Sequence, residues 1–322
     1  MFGVYATFEE VKAYLKGAKN ANFHPQDDPL IKEFCVKMSR KFDAETNRKF
    51  APQRQTRSYD HPGGVGTSYP YPNAPSSTGP VVRVGGRYRV ADELCLDNDL
   101  LQVVALTTQS GGVTISASDY WLLTGESYNY PPYDRIRLRP NGTTTLFSYS
   151  GTAYQANQVD GYWGYHESWN EAWQLVDAVL NNPLAVGAAS VTVADVDGED
   201  EQGLTPRFKT QQLIRFGSTS TAEYAYIIGK SPEANALTVK RGVNGTTAAQ
   251  QALNTAIYVY RPMDEINHAL LALAAWSYRR KDSIGSFDDR PVASPTGMII
   301  MPNYLPVEVK AMIAKYKREP TR

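Results

Sequence analysis

Hydrophobic residues change their spacing twice along this chain: they recur at helical intervals near both ends and alternate in between. Helices segregated from strands in this way define an α+β protein rather than an alternating α/β one. In TFEEVKAYL, Thr7 and Glu10 have capping-box spacing, which stabilises a helix start by roughly 0.5–2 kcal/mol. Phe8, Val11 and Leu15 share one face behind it. DDPLIKEF opens a second helix, with Asp28 at the N-cap and Pro29 at the first helical position, where a missing N–H costs nothing. Leu30, Phe34, Met38 and Phe42 follow at i+4 spacing beside Ile31 and Cys35, so residues 1–60 read as an α-hairpin with a core-facing stripe.

Residues 61–86, which begin HPGGVGTSYPYPNAPSSTGP, carry too much Gly, Pro and Ser for regular structure and read as a long loop. Between 87 and 173 come short strand-like runs, RYRVADE, LLQVVALTTQ, VTIS, DYWLLT and DRIRLRP, punctuated by QSGG and LRPNG. A second set fills 184–262: ASVTVADV, QLIRFG, EYAYIIGK, ALTVKRG and AIYVYRP, with turns at SPEAN and GVNG. This spacing suggests a separate small β barrel or sandwich. Asn141 and Asn244 each precede glycine, the strongest short hairpin signal, and an intracellular origin would leave both sequons unglycosylated. Residues 263–322 return to helix, first with Ile266, Ala269, Leu270, Leu273 and Trp276 on one face and YRRK at its end. Pro306 then opens a last helix with Val309, Met312, Ile313 and Tyr316 as its apolar stripe. A helix that short is marginal in water and needs something to dock on.

Composition narrows the function classes. Lys and Arg total 33, as do Asp and Glu, so no global charge draws the chain to nucleic acid or an anionic membrane. Cys35 and Cys95 are the only cysteines and lack metal or redox spacing, which fits a reducing birthplace. The first residues lack the pattern of a secretory signal, and no apolar run has spanning length, so a soluble protein is expected. Tyrosine outnumbers phenylalanine 21 to 10, a composition suited to interfaces.

Catalytic patterns are missing. The chain has no GxSxG, HExxH or P-loop, and GGVGTS at 63–68 lacks the lysine of a phosphate cradle. His24, His61, His166 and His268 are scattered, with only His166 beside an acid, Glu167. The run Asp195, Asp197, Glu199, Asp200, Glu201 misplaces the glycine of a calcium loop and reads as a solvated turn. No enzyme, cofactor or metal is therefore expected.

VDGYWGYHESWNEAW places Tyr162, Trp163, Tyr165, Trp169 and Trp173 close together. They could form a carbohydrate platform, with Trp163, Trp169 and Glu167 at its site, or pack a structural joint or subunit interface. The joint is the better reading, because sugar recognition also needs converging polar groups, and only Asp160, Glu167 and Glu171 lie nearby.

Three stretches together resemble the head-to-tail connector, or adaptor, proteins of tailed bacteriophages: FEEVKAYLKG with DDPLIKEFCVKMSRKFDAETNRKFAPQRQTRSYD, LCLDNDLLQVVALTTQSGGVTISASDYWLL with PYDRIRL, and WGYHE with INHALLALAAWSYRRKDSIGS. Their order along the chain carries the resemblance, which covers about two thirds of it. It implies a structural virion protein of the head-tail neck, made in the bacterial cytoplasm. Such a protein forms a homo-oligomeric ring of about twelve subunits closed by head-to-tail contacts beneath the portal. Portal, tail or head-closure proteins are the implied partners, and DNA passes through the ring with phosphate contact and no base readout. The C-terminal segment docks on the portal in that family, which makes Val309, Lys310, Met312, Ile313, Lys315, Tyr316, Lys317 and Arg318 the portal-docking candidates. The resemblance makes the N-terminal α-hairpin and the two C-terminal helices of 263–322 one helical core, and the loop at 61–86 and the β module at 184–262 depart from short family members. The module reads as an insertion that decorates the ring or grips a tail or fibre protein. A baseplate or fibre-attachment role remains a further alternative.

Overall fold

A computed structural model describes residues 3–17, 25–62, 81–84, 87–90, 92–125, 127–128, 130–144, 146–150, 152–200, 202–219, 222–279, 292–293, 299–300 and 305–318. It is an α+β fold with helices at both ends of the chain and antiparallel sheets between. The chain divides into two compact units: one joins Met1–Ala51 to Ala172–Pro320, the other is Pro52–Glu171.

The first unit holds helices α1 (Phe8–Gly17), α2 (Asp28–Thr46), α3 (Asp264–Arg279) and α4 (Val307–Tyr316). The capping box forms as the sequence predicts: Thr7 N–H donates to Glu10 Oε2 at 2.8 Å, and Glu10 N–H to Thr7 Oγ1 at 3.4 Å. The N-cap of α2 is Asp27, one residue before the expected Asp28, so Pro29 stands at the second helical position, where its missing N–H is still harmless. The buried face of α2 is also rotated from the expected stripe. Ile31, Cys35, Ser39, Phe42, Asp43 and Thr46 are buried, while Leu30, Phe34 and Met38 are half-buried at its margin. Polar residues are tolerated there because Ser39 and Thr46 donate back to the carbonyls of Cys35 and Phe42. Helix α3 touches α1, α2 and α4, which explains why Ala274, Ala275 and Tyr278 are buried in addition to the single apolar face read from its sequence.

The second unit contains strands β1 (Gln53–Tyr59), β2 (Val81–Val84), β3 (Arg87–Val90), β4 (Glu93–Thr108), β5 (Val113–Ile115), β6 (Tyr120–Thr124), β7 (Ser127–Tyr128), β8 (Tyr133–Leu138) and β9 (Asn157–Trp163). Seven of them form one antiparallel sheet in the order β1-β9-β4-β8-β6-β7 with β5 added on β4, while β2 and β3 pair only with each other. Leu94, Leu100, Leu106, Ile136, Leu138, Val159 and Trp163 build its core. Gly161 is required in β9, because a Cβ there would lie 2.5 Å from the Gln102 carbonyl oxygen. Of the loop expected at 61–86, residues 61–62 and 81–84 are described, the latter as strand β2, and the rest lies outside the described residues.

The first unit also holds β10 (Trp173–Ala178), β11 (Ser190–Thr192), β12 (Leu213–Phe216), β13 (Glu223–Ser231), β14 (Ala236–Arg241) and β15 (Ala256–Tyr260), an antiparallel six-stranded sheet in the order β10-β15-β12-β13-β14-β11. A two-stranded ribbon joins β16 (Val292–Ala293) to β17 (Ile299–Ile300). Strand β10 shows that the six-stranded sheet starts before residue 184. The SPEAN turn joins neighbours β13 and β14. The Asn244-Gly245 turn, with φ of 52° and 80°, does not make a hairpin, since the flanking β14 and β15 are not adjacent. Asn141 likewise follows β8 without joining it to an adjacent strand.

Candidate functional site

The portal-docking candidates lie on α4 and just past it, and the structure divides them into an inner and an outer set. Val309 and Tyr316, two turns apart, are buried in the first unit, and Met312 and Ile313 are half-buried. The Tyr316 ring meets Phe50 edge to face at 5.8 Å, and its hydroxyl donates to Glu265 Oε2 at 2.8 Å. Lys315 Nζ lies 2.6 Å from the same carboxylate oxygen. Hydrogen bonds to Lys315 and Tyr316 hold the Glu265 carboxyl below its usual range. Arg48 Nε donates to the Tyr316 carbonyl and Arg318 N–H to the Thr46 carbonyl, each at 2.8 Å, so the end of α4 is tied to the end of α2. The docking that the short helix required is thus met within its own chain. Exposed on the outer side are Val307, Glu308, Lys310, Ala311, Ala314, Lys315 and Lys317, with Arg318 half-exposed.

Most rings of the aromatic stretch are buried, and within it the chain passes from the second unit to the first. Tyr162, Trp163 and Trp169 belong to the second unit, where Trp163 is 2% and Trp169 7% exposed. Trp163 donates its indole N–H to the Gln55 carbonyl at 2.9 Å, and the Arg57 guanidinium sits 4.5 Å above its ring. Tyr162 and Trp169 are 6.5 Å apart between centroids. Trp173 belongs to the first unit, against Tyr224 and Tyr260, with Arg215 4.7 Å from its ring. Tyr165 is half-buried, and its hydroxyl reaches the exposed Glu167 at 3.1 Å. None of the three tryptophans offers an open face on which a sugar could stack.

His166 is buried and accepts the Ser168 N–H at Nδ1, 3.1 Å away. In the acidic run, Asp195 accepts the N–H groups of Asp197 and Gly198, and Asp200 those of Gln202 and Leu204. Turn-forming hydrogen bonds therefore occupy these carboxylates. Among the described residues no group of His, Cys, Asp and Glu is arranged to hold a metal ion, and no helix is long and apolar enough to cross a membrane. A cleft of about 220 Å³ lies in the first unit. Five of its six charged lining residues are matched within the chain: Lys209 pairs with Glu10, Arg261 with Asp200, and Arg207 with Asp177, while Asp264 is exposed.

Sequence reasoning missed two buried polar clusters. The Asp43 carboxylate accepts the Tyr5 hydroxyl at 2.7 Å and faces Lys49 Nζ at 3.2 Å, while Tyr5 Oη accepts the N–H groups of Phe50 and Ala51. Burial pushes Asp43 up to about 6 and Tyr5 well above its ordinary value. The second cluster centres on Glu223, which accepts from Arg241 Nε, Gly242 N–H, Ala249 N–H and Gln251 Nε2 at 2.8–3.3 Å. The spacing of neither cluster in the sequence marks it.

No protein-family model matches the chain, and no curated protein matches it in sequence.

Proposed function

We propose that this chain is a structural protein of a tailed-bacteriophage neck, a head-to-tail connector whose copies form a ring of about twelve between portal and tail. The observation that carries the reading is the closure of one helical core from both chain ends, with α3 packed on α1, α2 and α4. The resemblance implies this same arrangement. The outer side of α4, with Lys310, Lys315 and Lys317 exposed, is the portal-docking face. Val309 and Tyr316 support it from within and do not themselves touch the portal.

The six-stranded sheet is the module added to the connector core, a small barrel or sandwich that grips a tail or fibre component. Its own apolar cluster, including Val191, Val196, Phe208, Ile214, Ile227, Leu237 and Ile257, supports reading it as an insertion. The chain acts by holding partners and leaving a passage for DNA, with no chemistry of its own. Native mass spectrometry of the protein mixed with its phage's portal tests this. A discrete complex carrying about twelve copies per portal ring is expected, and an unbound portal beside free chain would count against the reading.

A further inference from the structure

The two large sheets end on five described edge strands, and four of these carry the devices that block edge-to-edge pairing. Strand β7 has 2 residues, and β5 and β11 have 3 each, too short to template another strand. Strand β10 is interrupted by a register shift between Leu175 and Asp177. Among the described residues, nothing protects strand β1 in this way. Its 7 residues, QRQTRSY, pair with β9 in unbroken register from Gln53↔Trp163 to Tyr59↔Asn157, without proline, lysine or bulge.

The edge is also held rigid before any partner arrives. On one face Gln55 Nε2 donates to Gln53 Oε1 at 3.2 Å, and Arg57 donates to Gln55 Oε1 at 3.1 Å. The Trp163 indole fixes the Gln55 carbonyl from within the sheet. Arg54 is paired with Asp160 and Arg57 with Asp97, so neither guanidinium calls for an acidic partner. Gln55, Thr56 and Ser58 are exposed. An added strand would find preformed main-chain groups and lose little side-chain freedom.

The occupant follows from the strand's own sequence. We infer that β1 pairs antiparallel with β1 of a second copy across a two-fold axis at Thr56, joining the two sheets into one. This is the register that matches all 7 residues. It sets Thr56 against Thr56, Gln55 against Arg57, Arg54 against Ser58 and Gln53 against Tyr59 of the other copy. No arginine then faces an arginine, and the central threonine pair is a favourable cross-strand contact. Even-numbered and odd-numbered residues keep to their own faces, so both cores stay on the same side of the joined sheet. The contact is isologous and does not rest on the ring reading, which needs a heterologous head-to-tail contact.

The test uses the free full-length chain without portal, so its failure and that of the connector reading are distinguishable. Two single-cysteine probes are made in a Cys95→Ser background, Cys35 being buried. Thr56→Cys places like residues opposite one another at disulfide distance, and mild oxidation is expected to convert most of it to covalent dimer. Ser58→Cys faces Arg54 and is expected to cross-link at least tenfold more slowly. Sedimentation of the unmodified chain should show a concentration-dependent dimer that Thr56→Arg, an exposed change setting arginine against arginine, abolishes without altering the circular dichroism spectrum. Equal cross-linking of the two probes would overturn the inference, as would a strict monomer at every concentration.

Discussion

The Tyr5 hydroxyl donates a 2.7 Å hydrogen bond to Asp43 Oδ1, and both side chains are almost wholly buried. This pair ties the N-terminal segment to the end of α2 and, through the Phe50 and Ala51 N–H groups, to the last residues before the chain leaves the first unit. Desolvation outweighs the nearby Lys49 and raises the Asp43 carboxyl from 3.8 to about 6. The contribution of this group is therefore fully present below about pH 4 and is lost as pH rises through about 6, a change of about 3 kcal/mol. Denaturation at pH 5 and pH 8 spans about half of that change, and Asp43→Asn should lose most of the difference between the two and gain on the wild type at the higher pH. An unchanged pH profile in the variant would contradict the assignment.

Glu223 and Arg241 form an ion pair whose side chains are 1% and 5% exposed. Arg241 also reaches the carbonyls of Ala185 and Ala249, so the pair fastens two loops of the six-stranded sheet, the one before β11 and the one after β14. Glu223→Gln would leave a buried guanidinium without its counter-charge. Urea denaturation should register a loss of about 3–5 kcal/mol, with portal binding by the folded fraction unaffected.

Trp163 lies in the core of the second unit rather than on a platform. Trp163→Ala should destabilise the protein by about 3–5 kcal/mol, and glycan arrays should show no saturable binding by the wild type. Saturable oligosaccharide binding lost in a stably folded variant would restore the carbohydrate reading.

Gly161→Ala is expected to be as damaging as a large core truncation, because its Cβ would meet the Gln102 carbonyl oxygen, a backbone atom that cannot swing aside. Thermal unfolding checks this. A melting temperature within one or two degrees of wild type would show that β9 and β4 separate more easily than their pairing implies.

The helices were legible because their signals are local: the Thr7–Glu10 box needs only four residues, and the stripe of α3 repeats within one element. Strand β1 was not, since QRQTRSY lacks apolar alternation and owes its strand to pairing with β9, far along the chain. The Asn-Gly pairs mark turns correctly, yet which strands neighbour each other is a property of the whole sheet, and β14 and β15 are separated by β12 and β13. On α4 the apolar stripe was read correctly as needing a surface, but spacing alone does not say whether that surface belongs to another protein. Phe50 and Glu265 supply it from within the chain.

The most direct test of the connector assignment is electron microscopy of portal rings mixed with the full chain, beside a Lys310→Glu, Lys317→Glu double variant. Portal rings capped by a second ring are expected with wild type and bare portals with the variant, while the free variant folds normally. Bare portals with both, under conditions that assemble the neck, would contradict it.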